Sequence, residues 1–475
     1  MSKLYEQLAE QIAAQIDQGL YPPGGRIPGV RRLSQHFGVS VSTIVQAQRR
    51  LEDEGRIEAR PRSGYYVRSQ PWSLPEQPPM SHPSTRPTPV TGQELVLRLA
   101  QASNETDVVQ LGAAIPDSSF LPVGAVQRAL ASAARLHGDA LFKYQFPPGN
   151  LDLRRQIARR MLEAGCRIKP DEILITSGCQ EALVIALQAV AKRGDVIAIE
   201  SPAFYGLLQV IETLGMKALE IPTDPNEGIS LSALSLALDK WPIKACVLVA
   251  NFSNPLGYCM PDSRKKELLA LVEDRAITII EDDIYGDLGF GPSRPAALRS
   301  FDKSGRVIYC SSFSKTLSPG LRVGWMIANG CYQRAEYLKY VTNLAVSSLA
   351  QFAIADFLNR GGYDRYLRQV RSRYQHQVTV MIRAVGKYFP PGARVTQPRG
   401  GFVIWVELPK TIDAMQLYQQ AMRQRISIAP GSIFSASQKY RNYIRLNCAQ
   451  PWNERLERAL ISLGRMAQSL SVRTE

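Results

Sequence analysis

Along the first seventy residues the apolar positions change period from helical to strand-like. Leu4, Leu8, Ile12 and Ile16 recur every four residues, which predicts an amphipathic helix from Lys3 to Gln18 ended by Gly19. After a Pro- and Gly-rich turn from Tyr21 to Gly25, the spacing predicts a short helix over Val30 to Phe37 and a tight turn at Gly38-Val39-Ser40. A second helix follows from Val41 to Glu54, with Ser40 as its N-cap. Beyond Gly55, the stretch Ile57-Glu58-Ala59-Arg60-Pro61-Arg62-Ser63-Gly64-Tyr65-Tyr66-Val67 holds two short β-like runs around a basic turn. Helix, turn, helix and basic ribbon stand in the order of a winged helix-turn-helix.

The pattern then breaks. Between Ser69 and Gln93 lie Pro71, Pro75, Pro78, Pro79, Pro83, Pro87 and Pro89 among Ser, Thr and Gln, a composition that predicts an extended, semi-rigid linker. From Glu94 onward strand-like runs alternate with helical stretches: Glu172 to Ser177, Val196 to Glu200, Ala245 to Ala250, Thr278 to Glu281 and Arg306 to Ser311. This alternation predicts an α/β domain with a mainly parallel sheet and ligands at the carboxyl ends of its strands. The expected organisation is therefore a module over 1–69, a linker over 70–93 and a large domain over 94–475.

Composition narrows the classes. A chain of 475 residues, 45% hydrophobic and 21% charged, has ample core for two or three domains. No early basic-then-apolar leader and no run long enough to span a membrane is present, so a soluble, cytoplasmic protein is expected. Seven scattered cysteines and four distant histidines suggest neither a disulfide framework nor a metal site. The net charge of +15 favours a polyanionic partner without specifying sequence-selective binding.

The candidate chemistry centres on Ser311-Ser312-Phe313-Ser314-Lys315-Thr316-Leu317-Ser318-Pro319-Gly320-Leu321-Arg322. A lysine with hydroxyls before it and an arginine seven residues after it suits pyridoxal 5'-phosphate held as a Schiff base. Thr176-Ser177-Gly178-Cys179-Gln180-Glu181 ends a strand and opens a helix, a place suited to phosphate. Asn251 to Gly257 forms a turn after another strand, and Ile280-Glu281-Asp282-Asp283-Ile284-Tyr285 brings acids and a tyrosine to a strand end. A carboxylate facing a pyridine nitrogen keeps it protonated, and Asn254 and Tyr285 can bond the ring hydroxyl. Singly, each residue is as readily an ordinary core or surface position. Their joint order points to one cofactor.

Residues 1–69 resemble the winged-helix domain of GntR-type bacterial regulators, from the Pro-Gly turn through Arg31-Arg32-Leu33 to Ser63-Gly64-Tyr65-Tyr66-Val67. The resemblance implies that the second helix enters the major groove of double-stranded operator DNA. Ser40, Ser42, Thr43, Gln46 and Arg49 or Arg50 would reach phosphates or base edges, while Arg31, Arg60, Arg62 and Gly64 would hold the backbone. Val41 stands where many such domains carry arginine, and the bland alternative is a solvated basic face on a protein-interaction domain. A second basic run, Arg360, Arg365, Arg368, Arg371 and Arg373, has the helical spacing of a solvated face.

Residues 94–475 resemble a fold-type I, class I aminotransferase. The resemblance implies that Lys315 is the Schiff-base lysine, Asp282 pairs with the pyridine nitrogen, and Tyr285 and Asn254 contact the ring oxygen. Gly178, Cys179, Gln180, Ser312, Ser314 and Arg322 would hold the phosphate and Tyr205 would stack on the ring. Arg445 would grip a substrate carboxylate, and Tyr144 would reach the cofactor across a dimer interface. Cys179 departs from the small or hydroxyl residue common at its position.

In whole order the chain resembles the MocR subfamily of GntR regulators. That implies a homodimeric, DNA-binding transcriptional regulator sensing pyridoxal phosphate or a small amino compound through the Lys315 Schiff base. The rival is an active aminotransferase with an appended DNA-binding module.

Overall fold

The computed structural model describes residues 4–17, 20–22, 24–60, 63–68, 74–91, 94–273, 275 and 277–472. They form two compact units, Met1–Pro75 and Glu76–Glu475.

In the first unit α1 (Leu4–Asp17), α2 (Val30–Phe37) and α3 (Val41–Asp53) precede an antiparallel ribbon of β1 (Ile57–Arg60) and β2 (Gly64–Val67). The four-residue apolar spacing buries Leu8 and Ile12, which join Leu33, Ile44, Leu51 and Ile57 in one small core. Gly38 ends α2 at φ 65°, a left-handed conformation that glycine adopts without steric cost. Ser40 then starts α3, its side-chain oxygen accepting from Thr43 N at 3.2 Å. Gly19, Pro61 and Arg62, expected at a helix end and at the wing's turn, lie outside the described residues.

The second unit is built on a mixed sheet. Besides the short strand Gly228–Ile229, which pairs with β6 alone, its strands are β3 (Thr88–Pro89), β4 (Ile173–Thr176), β5 (Val196–Ser201), β6 (Lys217–Asp224), β7 (Ile243–Leu248), β8 (Thr278–Asp282), β9 (Val307–Ser312) and β10 (Gly324–Ile327). They run in the order β3-β6-β5-β7-β8-β9-β10-β4. The five from β6 to β9 are parallel, while β10 is antiparallel to both of its neighbours. All five apolar runs expected as strands form them, and their near-continuous burial is what a sheet covered on both faces requires. A small antiparallel sheet of β11 (Arg394–Val395), β12 (Val403–Glu407), β13 (Ala429–Pro430) and β14 (Tyr443–Asn447) places Arg445 opposite Trp405.

The extended, semi-rigid linker expected over 70–93 is divided by the structure. Residues 69–73 and 92–93 are not described, but residues 76–91 lie against the second unit as a strap. Ser81 N donates to Thr223 O at 3.2 Å, Thr223 N donates to Ser81 Oγ at 2.8 Å, and Trp241 Nε1 donates to Thr85 O at 3.2 Å. Proline is tolerated because the strap lies on the sheet edge, where a missing N–H breaks no inner ladder. The basic run also departs from a purely solvated face: Arg371 Nε donates to Asp287 O at 2.6 Å, and Arg373 donates to Ser119 O while stacking over Phe120.

Candidate cofactor site and nucleic-acid face

The carboxyl ends of β4, β8 and β9 converge on a cavity of about 240 Å³, lined by Cys179, Gln180, Tyr205, Asn254, Asp282, Tyr285, Ser314, Lys315 and Arg322. Lys315 Nζ donates to Ala114 O at 2.7 Å. Burial, reinforced by the Arg445 charge and opposed by Asp282, lowers its pKa to about 8. Asp282 moves the other way: burial lifts it to about 6, while bonds from Cys179 and from Ile284 N restrain the rise. Tyr285 is raised, again by burial, and accepts from Asn254 Nδ2 at 3.5 Å.

Arg445 lies fully buried beside this cavity, its Cζ 5.3 Å from the Tyr205 ring centroid. It donates to Asn254 Oδ1 at 3.1 Å and to Gly112 O, yet its Nε has no hydrogen-bond partner. A buried guanidinium nitrogen left open is costly, so the arrangement suits a ligand acceptor.

The phosphate end is shaped by Gly178, which opens helix α5 (Cys179–Val190; the earlier helix Glu94–Ala102 is α4) at φ 82°. A Cβ there would lie 2.5 Å from Arg322 Nη2, so glycine admits the guanidinium. The amides of Cys179 and Gln180 belong to the first helical turn, which has no intrahelical acceptors. Gly178's own N–H is taken by Thr176 O, and the Gln180 side chain donates to Gly206 O at 2.9 Å. Arg322 donates to Ser177 O at 3.0 Å and to Ser314 Oγ at 3.3 Å.

Of the expected residues, Gly178, Arg445, Ser312 and Tyr144 are not among those lining the cavity, the last being the one expected to reach it from a second copy. Ser312 Oγ accepts from Ser314 N at 3.3 Å; the strand register sets Ser312 on the sheet face of Cys310 and Asp282, and the residue also borders a small neighbouring pocket with Arg160, Asp283 and Arg294. Tyr144 is 67% exposed and stacks on Phe146. Sequence reasoning missed the apolar wall formed by Val96 and Ala100 of α4 with Ala113, Ala114 and Ile115. Small apolar residues carry no signal that separates a cavity wall from ordinary core.

On the first unit, Arg31, Ser42, Gln46 and Arg49 are exposed, and Val41 is 45% exposed. Arg50 differs from the expectation: it faces α1, with Nε donating to Glu54 at 2.8 Å and Nη2 3.6 Å from Glu10. Its i,i+4 spacing to Glu54 explains the capture. Ser40 is occupied in the cap and bonds Ser42 and Thr43 hydroxyls at 2.8 Å each. Arg60 bonds Glu58 and lies 4.3 Å over the Tyr66 ring. Gly64, at φ 103°, begins β2.

Two family models match the chain: "Bacterial regulatory proteins, gntR family" over residues 4–67 and "Aminotransferase class I and II" over residues 106–463. It is 42% identical over 460 residues to the uncharacterized HTH-type transcriptional regulator YjiR of Escherichia coli, spanning 97% of this chain and 98% of that one. The chain belongs to the MocR-like GntR regulators.

A MocR-like chain is also similar to enzymes. Over 379 residues it is 30% identical to the 2-aminoadipate transaminase of Thermus thermophilus, covering 79% of this chain and 94% of that one. The crystal structure of LysN, an α-aminoadipate aminotransferase of that organism complexed with N-(5'-phosphopyridoxyl)-L-leucine, superposes with a TM-score of 0.74 at 28% identity, over 81% and 96% of the two chains. The aminotransferase fold of this MocR-like protein implies pyridoxal phosphate. The residues present fit it, by the glycine cradle at Arg322, the buried amine of Lys315 facing the Asp282 cavity, and the open Nε of Arg445.

Proposed function

We propose that this protein is a DNA-binding transcriptional regulator, working as a cytoplasmic homodimer, whose second unit reports on pyridoxal phosphate or on an amino compound reacting with it at Lys315. The observation carrying this reading is a recognition helix with Ser42, Gln46 and Arg49 exposed, joined in one chain to a cofactor-type cleft. A relative named as a transcriptional regulator shares both parts over nearly its whole length.

Bound in the cleft, pyridoxal phosphate supplies a carbonyl for amines and an electron-withdrawing ring. Lys315 presents its amine there, and a pKa near 8 leaves part of it neutral near pH 7. Asp282 holds a negative charge for the ring nitrogen, and Arg322 with the first turn of α5 holds the phosphate. Arg445, bonded to the cavity residue Asn254 and with its Nε unpartnered, is the group for a ligand carboxylate. A ligand bound better by one conformation of the dimer shifts the population, and with it the affinity for DNA. Exposed Leu136, Phe142, Tyr144, Phe146, Tyr340 and Val341 support a second copy as the cover for this face.

The test is titration of the purified protein with DNA flanking its own gene, at two salt concentrations, with and without pyridoxal phosphate. The expected result is sequence-selective binding that weakens with salt and changes with cofactor state. No selective binding in either state would end the regulator reading. The second reading, an active aminotransferase, is favoured by Lys315, Asp282 and Arg445 meeting around one cleft; robust turnover of amino donors with keto acids would make catalysis primary.

A further inference from the structure

A cavity larger than the one at Lys315 lies in the second unit. It has a volume of about 560 Å³, shares no lining residue with the cofactor cleft, and is roofed by strap residues 78–82. Its floor is aromatic: Trp405, Tyr440 and Tyr443 pack with centroid separations of 5.4 to 5.8 Å.

Its rim is cationic. Glu407 is the one acid among its lining residues, and it lies 3.6 Å from Arg394, which also pairs with Glu76 at 3.3 Å. Lys439 is engaged too, donating to His82 O at 2.9 Å and bearing on the buried Glu220. Lys410 and Arg441 remain, both exposed and neither with an ion-pair partner among the described residues. The loop carrying Arg441 holds Gln438 and Tyr440 at φ 52° and 60°, a conformation such residues keep only where the surroundings fix it.

We propose that this cavity is a second small-molecule site, for an anion with an apolar body: a carboxylate or phosphate ester whose charge meets Lys410 and Arg441 and whose body lies on the aromatic floor beneath the strap. Occupancy reaches the strap directly, because Ser81 and His82 line the site. It also borders the cofactor cleft: Tyr440 OH lies 2.6 Å from Ser201 Oγ, four residues before Tyr205, and Tyr443 stands two residues before Arg445 on β14. A ligand here bears at once on the cofactor's surroundings and on the segment leading back to the first unit.

The test uses the full-length holoprotein and three probes: phenyl phosphate, benzoate and neutral benzyl alcohol, followed by calorimetry and by hydrogen exchange of residues 76–91. At least one anion is expected to bind saturably while the cofactor absorbance persists, with slower exchange in the strap and little binding of benzyl alcohol. The two anions distinguish phosphate from carboxylate recognition. Lys410→Ala/Arg441→Ala, at exposed positions, should keep the holoprotein folded and weaken the anion roughly tenfold or more. No saturable anion binding, equal binding of benzyl alcohol, unchanged strap exchange, or an affinity insensitive to the double variant but lost in Arg322→Ala would each overturn the assignment. The last would place the anion in the cofactor cleft. Should the double variant unfold, Lys410→Gln/Arg441→Gln answers the same question.

Discussion

Cys179 Sγ lies 3.2 Å from Asp282 Oδ1, and both side chains are buried. Burial pushes the thiol pKa well above its ordinary value, with Asp282 adding to the rise, so the sulfur keeps its proton and donates it to the carboxylate. The unusual residue at the start of α5 thus acts on the acid assigned to the ring nitrogen as well as through its backbone amide.

Removing that donor should weaken cofactor binding. Hydrogen bonds to charged groups contribute about 1.5–3 kcal/mol and a thiol sits at or below the low end, so Cys179→Ala should loosen pyridoxal phosphate about tenfold. Cys179→Ser, which can still donate, should retain most of the affinity. Equilibrium titration of apo-protein by cofactor absorbance checks both; equal affinity in Cys179→Ala and the parent would show that the contact does no positioning.

Much of this site was legible because its residues stand at strand ends, where an apolar run stops and polar residues begin. Thr176 to Gln180 from the end of β4, Asp282 as the last residue of β8 and Ser314-Lys315 after β9 all follow that rule. The recognition helix was legible because Ile44, Ala47 and Leu51 keep helical spacing and Ser40 can cap it. What stayed hidden depends on residues far apart in sequence. Nothing near Ser81 announces Thr223, 142 positions away, so a docked strap looked like an extended linker. Arg50 was indistinguishable from Arg49 until α1 supplied Glu10.

The pH dependence of cofactor loading follows from Lys315. Attachment needs the neutral amine, and a pKa near 8 leaves roughly a tenth of it neutral at pH 7, against well under a thousandth at the ordinary lysine value. The rate at which apo-protein gains the lysine-bound absorbance should rise with pH through about 8 and then level. The same depression means that the folded state binds fewer protons than the unfolded state between pH 8 and the ordinary lysine value. Lys315 therefore makes apo-protein stability rise with pH across that window, and Lys315→Met should remove this contribution. A loading rate still climbing steeply above pH 9.5 would contradict the assigned environment.

Arg294 joins the buried Asp283 to the partly buried Asp287, with Nη2 2.5 Å from Asp283 Oδ2 and Nε 2.8 Å from Asp287 Oδ1. Burial pushes Asp287 upward, but the charges of Arg160 and Arg294 outweigh it and leave its pKa low. Arg294→Met fills similar space and leaves the buried Asp283 without its cation while Asp287 keeps Arg160, so it should destabilise the second unit by about 3–5 kcal/mol. Denaturant unfolding followed by tryptophan fluorescence reads the loss. Adding Asp283→Asn should recover part of it, because that acid then no longer has to stay charged without its partner; no recovery would show that packing, not charge, dominates there.

The first unit offers a separation between stability and recognition. Ser40 caps α3 through Thr43 N, whereas Arg49 is exposed on the same helix. Ser40→Ala removes the cap and should cost the unit about 1 kcal/mol, seen as a lower unfolding midpoint and faster exchange in the first turn of α3. Ser40→Asp restores a cap acceptor and should restore the midpoint, yet it adds a negative charge beside the DNA phosphates and should weaken binding more than Ser40→Ala does. Arg49→Ala should leave the midpoint unchanged and lower DNA affinity, with a shallower salt dependence if its contact is to phosphate and with relaxed sequence preference if it reads a base. Were Ser40→Asp to bind DNA as tightly as the parent protein, the N-terminus of α3 would not lie against the phosphate backbone, and the recognition surface would have to be sought elsewhere on the wing.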